Sequence, residues 1–300
     1  MKRFLPLLAA FCLIFTACNK PEEESSSLPT EIIVSSGSDV QTEAAQPFPV
    51  VIRGTEIKAE AKTAVSLSPA VTDILVEVGF SNRLIAKSNY CDFPDLDIKT
   101  VGSSENPDIE AIIELKPDVV FTLSALSERD VYSLSEAGCA VIILDPPNTI
   151  EEYSALYSDI ASAFGGREAA ETFVVAAAGK LEKAAESIQL ESFIYVTDKL
   201  TAAGSNTFDS AVLSMCGENL CTSEGYTPLD AVGDISPKYI IAADTLTKSD
   251  IKDNDILSDY IDDGAEILFV SSFAFERPTA RTADVFMQIE EQLGLTPEAE

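Results

Sequence analysis

Residues 64–79 read Ala64-Val65-Ser66-Leu67-Ser68-Pro69-Ala70-Val71-Thr72-Asp73-Ile74-Leu75-Val76-Glu77-Val78-Gly79, and the order of signals inside this stretch decides the fold class. Ala64 to Leu67 is a short apolar strand. Ser68 is placed to cap a helix, and Pro69 suits the first helical position, where an N–H would have no intrahelical partner. Val71, Ile74, Leu75 and Val78 then recur at helical spacing until Gly79 stops the run. A strand passing straight into a helix, with more strands to follow, argues a parallel sheet wrapped by helices.

The same alternation extends in both directions. Upstream, residues 49–54 and 56–59 read as a short hairpin turning at Gly54. Downstream, 83–86 is a strand ending in Asn89-Tyr90-Cys91-Asp92. Pro107 begins a helix carrying Ile109, Ile112, Ile113 and Leu115, and residues 117–121 and 139–144 are further strands. The middle is helical: one amphipathic run over 151–164, a break at Gly165-Gly166, and an Ala-rich run over 167–187. Strands return at 193–196, 239–242 and 267–270, with a helix over 208–215 stopped at Gly217 and a closing helix over 282–293. Glu114-Leu115-Lys116-Pro117-Asp118-Val119-Val120 and Asp234-Ile235-Ser236-Pro237-Lys238-Tyr239-Ile240-Ile241 share a helix-end, Pro, strand layout, as two similar lobes would. The expected fold is α/β. Two Rossmann-like lobes with parallel-type central sheets, over 47–149 and 191–296, are joined by a long helical segment over 150–190, leaving a cleft between them.

The beginning of the chain reads as targeting rather than fold. Met1-Lys2-Arg3 is followed by an apolar run from Phe4 to Ala17, shorter than the ~20 residues a spanning helix needs and suited to a signal peptide over 1–17. Thr16-Ala17-Cys18 resembles a lipobox, with Phe15 where Leu is usual, so Cys18 is the expected lipidation site. The alternative is an ordinary leader with Cys18 incidental. Residues 18–46, rich in Glu and Ser, are too poor in bulky apolar groups to offset their ordering entropy and read as a disordered acidic tether. The mature protein is then expected to be exported and anchored to the outer face of the cytoplasmic membrane through lipid alone.

Composition narrows the chemistry. The chain has 300 residues, 20 basic against 50 acidic, and a net charge of −30, which repels phosphate backbones and argues against nucleic-acid binding. It has no His, which excludes Ser-His-Asp and Cys-His nucleophiles, imidazole zinc sites and His-ligated haem. It has no Trp either, so any aromatic platform draws on 8 Tyr and 15 Phe. Of the 6 cysteines, Cys12 lies in the leader and Cys18 is the lipid site. Cys139 reads as a small buried apolar residue and Cys91 as packed in a loop. Cys216 and Cys221 flank Gly217-Glu218-Asn219-Leu220 and read as either a disulfide or two free thiols.

Several blocks, taken in order, resemble one family. They are Val65 through Leu75, Ser88-Asn89-Tyr90-Cys91-Asp92-Phe93-Pro94, and Val101-Gly102 through Asn106-Pro107-Asp108-Ile109-Glu110-Ala111-Ile112 to Leu115-Lys116-Pro117-Asp118-Val119-Val120. In the second half come Thr201 through Phe208, Gly217-Glu218-Asn219 and Arg277-Pro278-Thr279-Ala280-Arg281. Together they resemble the ABC-transporter substrate-binding proteins for vitamin B12, haem and iron-siderophores, over residues 64–293. The resemblance implies capture of a metal chelate in the cleft and delivery to a membrane permease with its ATPase subunits, by a monomer without catalysis and without a resident cofactor or metal. It also implies permease docking through one acid per lobe. Glu110 matches the first, and Asp230 stands one methylene short at the second.

Ligand crevices of parallel sheets lie beyond the carboxyl ends of the strands. The side chains expected there are Ser68, Asn89, Tyr90, Ser104 and Ser124 from the first lobe, and Ser205, Tyr226, Phe273 and Arg277 from the second. Each serine is equally well read as a cap or turn residue, whereas Tyr90 and Tyr226 have less structural reason to sit in polar turns. The set fits a corrinoid, with a ferric siderophore or haem as the alternative. A surface-anchored hydrolase using Asp145, Asp198 or Asp244, or an adhesion lipoprotein, is the rival of a different class.

Overall fold

The computed structural model describes residues 47–93 and 97–295. The expectations for the leader, Cys18 and the acidic tether, and the Pro94 of the first cleft loop, lie outside the described residues. The first half runs β1 (Val50–Ile52), β2 (Thr55–Ile57), β3 (Ala64–Ser66), α1 (Pro69–Glu77), β4 (Leu84–Lys87), β5 (Lys99–Thr100), α2 (Ile109–Leu115), β6 (Val119–Thr122), α3 (Glu128–Glu136) and β7 (Ala140–Ile143). After α4 (Ile150–Ala185) come β8 (Leu190–Val196), β9 (Thr201–Ala203), α5 (Phe208–Leu213), β10 (Gly217–Asn219) and β11 (Tyr226–Pro228). The chain closes with β12 (Tyr239–Ala243), α6 (Lys248–Lys252), α7 (Asp255–Asp262), β13 (Glu266–Val270), α8 (Phe273–Glu276) and α9 (Asp284–Leu293).

Strands β1 and β2 are the expected hairpin. The first main sheet has the order β5-β4-β3-β6-β7 and is parallel throughout. The second has the order β11-β9-β8-β12-β13, with β10 also on β8. The β8, β10, β12 and β13 pairings are parallel, but β9 runs antiparallel to β8 and β11 antiparallel to β9, so this sheet is mixed rather than wholly parallel. The reversal is local: Thr197 N–H donates to Thr201 O at 2.9 Å, closing a turn too short for a parallel crossover. The two Pro-led strands of the sequence echo, β6 and β12, hold the same place, each beside the central strand β3 or β8.

Some local expectations shift. Ser68 stands at the N-cap of α1, but its hydroxyl caps nothing; Ser66 Oγ donates to Ser68 O at 2.8 Å, and Thr72 Oγ1 to Ser66 Oγ at 3.0 Å. Helix α2 starts at Ile109 under an Asp108 cap rather than at Pro107. Helix α3, capped by Ser127, is an element the sequence reading passed over because its nine residues are mostly polar and bury only Leu134. Gly217 opens β10 instead of merely stopping α5. Cys216 and Cys221 are buried free thiols in two different apolar clusters, so no bridge joins them. Cys91 and Cys139 are buried as expected.

Helix α4 carries the division at Gly165-Gly166 as a kink, not a break. Gly166 has φ 76°, and a Cβ there would lie 2.7 Å from Pro47 O, so only glycine lets the hairpin segment pass. Tyr153, Leu156, Ile160 and Phe164 of α4 are buried in one cluster with Val71 and Ile74 of α1 and with Phe193, Phe208 and Val212 of the second lobe. Phe164 stacks on Phe80 at 4.8 Å and Tyr153 on Phe208 at 5.7 Å. Each such large side chain contributes about 1.5–3 kcal/mol by burial. Because both lobes draw on one core, α4 ties them together and fixes how their carboxyl edges face.

Candidate functional site

The carboxyl ends of β8 and β13 open into a cavity of about 370 Å³, near the lower bound for small-molecule sites, which run from about 300 to 1,000 Å³. Tyr195, Thr197, Asp198, Lys199, Thr201, Asp209, Tyr226, Ser272, Phe275 and Glu276 line it. The β8–β9 turn sets Asp198 and Lys199 at the rim, and β11 brings Tyr226 against β9. Gly204 makes that wall possible: a Cβ there would sit 1.9 Å from Ser223 O.

Asp209 is the buried polar centre of this cavity, 6% exposed, and Tyr226 OH donates to its Oδ2 at 3.0 Å. Burial pushes the Asp209 carboxyl up to about 6, against the lowering effect of the Tyr226 hydrogen bond. Tyr195, edge-on to Phe275 at 5.3 Å, and Tyr226 are both raised above the ordinary phenol range, chiefly by burial.

A second cavity, about 210 Å³, is lined by Ser271, Phe273, Ala274, Arg277, Arg281, Asp284 and Gln288. From its edge Arg277 reaches the first lobe. Its Nη1 donates to Asp92 Oδ1 at 2.6 Å, its Nη2 to Tyr90 O at 3.4 Å, and its guanidinium lies 4.3 Å above the Phe273 ring. Asp73 Oδ2, buried without a hydrogen bond, is 4.0 Å from Nη1. Burial raises Asp73 to about 6, with Arg281 and Arg277 opposing. Nearby, Glu77 accepts from Ala280 N–H at 3.1 Å and from Tyr157 OH.

The expected site residues divide accordingly. Tyr226 lines the first cavity, and Phe273 and Arg277 the second. Tyr90 meets Arg277 through its carbonyl and leaves its ring 66% exposed. Asn89 is exposed, its N–H donating to Gly102 O. The other four serve their own loops. Ser104 is half-buried in the bend over 104–106, Ser124 exchanges hydrogen bonds with Thr122, Ser205 Oγ donates to Ser223 O, and Ser68 O receives Ser66. Asp209, Tyr195 and Thr201 were not anticipated. Asp209 follows the Thr207 cap, where an acid reads as a complement to the helix dipole, and Tyr195 sits inside an apolar strand that reads as core. Glu110, in the first turn of α2, and Asp230, in the short 3₁₀ turn over 229–231, are both exposed.

Two α/β lobes on a shared helix, with cavities at the strands' carboxyl edge, define a two-lobed binding protein. Residues 65–247 match the model of the periplasmic binding protein family, and the chain belongs to that family. It is 27% identical over 169 residues to the vitamin B12-binding protein of Yersinia pestis (strain Pestoides F), a match covering 53% of this chain and 60% of that protein. The chain thus spans about 60% of the length of the curated relatives it matches. Among solved structures, a possible iron-binding periplasmic solute-binding protein of Staphylococcus epidermidis superposes with a TM-score of 0.63 at 19% identity, over 78% of this chain and 99% of that one. The periplasmic vitamin B12 binding protein of Vibrio cholerae superposes at 0.55 and 20% identity, over 78% and 97%. These likenesses establish the fold.

Proposed function

We propose that this protein is the extracytoplasmic solute-binding component of an ABC importer, capturing a corrinoid or related metal chelate and handing it to a membrane permease. The observation that carries this reading is the cavity at the carboxyl edge of β8 and β13, with Tyr195, Tyr226 and Phe275 as apolar walls and Asp209 as a buried hydrogen-bonding centre. Tyr90, exposed on the facing lobe, supplies a further aromatic surface for a planar ligand. The family is one of binding proteins, and the site here binds rather than turns over. Export, lipidation of Cys18 and docking through Glu110 and Asp230 belong to the same reading. The two acids are carried by the connections that precede the equivalent strands β6 and β12.

Titration with cobalamin, cobinamide, haemin and a ferric hydroxamate, followed by visible absorbance, tests it. Sub-micromolar binding of a corrinoid is the expected result. Binding of haemin or the ferric hydroxamate, with none of either corrinoid, selects the alternative ligand class within the family.

A further inference from the structure

The charge around the two cavities is unevenly placed. Asp198, Asp209 and Glu276 stand in the walls of the larger cavity against a single cation, Lys199. Arg277, which reaches across from the second lobe, is 14% exposed and already committed to Asp92, with Asp73 at 4.0 Å. Its planar face is covered by Phe273. An anionic ligand drawing on Arg277 would have to break these contacts, depriving Asp92 and the buried Asp73 of that counter-charge, and would then meet Asp209, whose carboxylate is held by the Tyr226 phenol.

We infer that the cleft selects by charge: it takes a ligand whose periphery is neutral or cationic and rich in N–H donors, such as primary amides, and rejects anionic chelates, with Asp209 as the specificity-determining acceptor. Asp209 Oδ2 is oriented by Tyr226, leaving the carboxylate an acceptor for a donor group that enters the cavity. A buried acceptor discriminates strongly, because a carboxylate in place of an amide sets like charges together where water cannot screen them. This rests on the cavity being the ligand site, as proposed above.

The experiment uses calorimetric titration of the full chain with two pairs of probes. Dicyanocobinamide and dicyanocobyrinic acid share a corrin ring but carry amides and carboxylates respectively. Cationic ferrioxamine B and trianionic ferric enterobactin make the second pair, without a corrin. Expected is a preference for dicyanocobinamide of about 100-fold, narrowed to about 10-fold or less in Asp209→Asn, whose near-identical shape keeps the Tyr226 contact. Glu276→Gln, at an exposed position, narrows it less and serves if Asp209→Asn folds poorly. If neither corrin binds but ferrioxamine B is taken over ferric enterobactin, the corrinoid reading falls and the charge selection stands. Equal or better binding of either anionic probe, an unchanged preference in Asp209→Asn, or no binding of any probe overturns the inference.

Discussion

The two lobes use the same central arrangement of three parallel strands, β3-β6-β7 in one and β8-β12-β13 in the other, and differ at the edge beside it. In the first lobe the neighbours β4 and β5 are parallel, so each needs a crossover, and the carboxyl end of β4 runs out into a loop with Asn89 and Tyr90 exposed. In the second lobe β9 doubles back on β8 through a tight turn and β11 pairs with β9, so the edge folds over the strand ends. That reversal supplies Asp198, Lys199, Thr201 and Tyr226 to one cavity. The lesson is that a single hairpin inserted in a parallel sheet converts an open crevice into a walled one. The wall is held by close backbone approach, and the open lobe contributes charge to the cleft instead, through Asp73 and Asp92.

The strongest way to break this difference is Gly204→Ala. The added methyl would collide with Ser223 backbone, so β9 must part from the 223–225 loop. We expect a loss of about 3 kcal/mol or more in urea unfolding and loss of ligand binding. Gly54→Ala in the first-lobe hairpin, where φ is positive but the space is open, should cost about 1 kcal/mol. Equal costs would mean that the second-lobe wall is no tighter than an ordinary turn.

The lobes also differ in the acid each presents for the proposed docking, Glu110 against the shorter Asp230. Replacing both by Ala should abolish uptake in cells while ligand affinity in solution stays within about twofold, since rim charges govern orientation and encounter more than affinity. With the proposed lipid tether concentrating the protein at the membrane, each single replacement should reduce uptake only partly. A double variant that transports normally removes both residues from that role.

Arg277→Ala severs the charge that the open lobe lends across the cleft. It leaves buried Asp73 with Arg281 as its remaining counter-charge, so we expect about 1–3 kcal/mol lower stability at pH 7. The radius of gyration by small-angle scattering should rise as the lobes separate, and an unchanged radius would assign the closed geometry to α4 alone.

Asp209→Asn is the smallest and opposite in sign. Burial lifts the folded carboxyl to about 6 from its ordinary 3.8, so between these pH values the folded state holds the proton more tightly than the unfolded chain. Stability from this group is therefore full below about pH 4 and lost as pH rises through about 6. Asn carries no such penalty. The variant should gain on the order of 1–2 kcal/mol over the parent at pH 7.5 and converge with it at pH 4, measured by urea unfolding at both pH values.

The fold class was legible in the sequence because its signals are local. Ser68-Pro69 before a 3.6-residue apolar period, the Pro117 and Pro237 strand starts and the glycine pair at 165–166 each act within a few residues, and each marks a feature the structure contains. Tyr226 was legible for a similar reason, as an aromatic ring in a polar turn. What the sequence could not state is which residues the tertiary fold brings together and which it keeps apart. Arg277 reads as a free cation until Asp92 and Asp73 are brought to it, and Asp209 reads as a helix-start acid until β11 sets Tyr226 against it. Cys216 and Cys221, five positions apart, read as a possible pair until the sheet sends them into separate cores. Local periodicity depends on neighbouring φ and ψ angles and is written in short stretches of chain. Pairing, burial and the charge left over in a cleft depend on desolvation and long-range contact, which only the assembled tertiary structure decides.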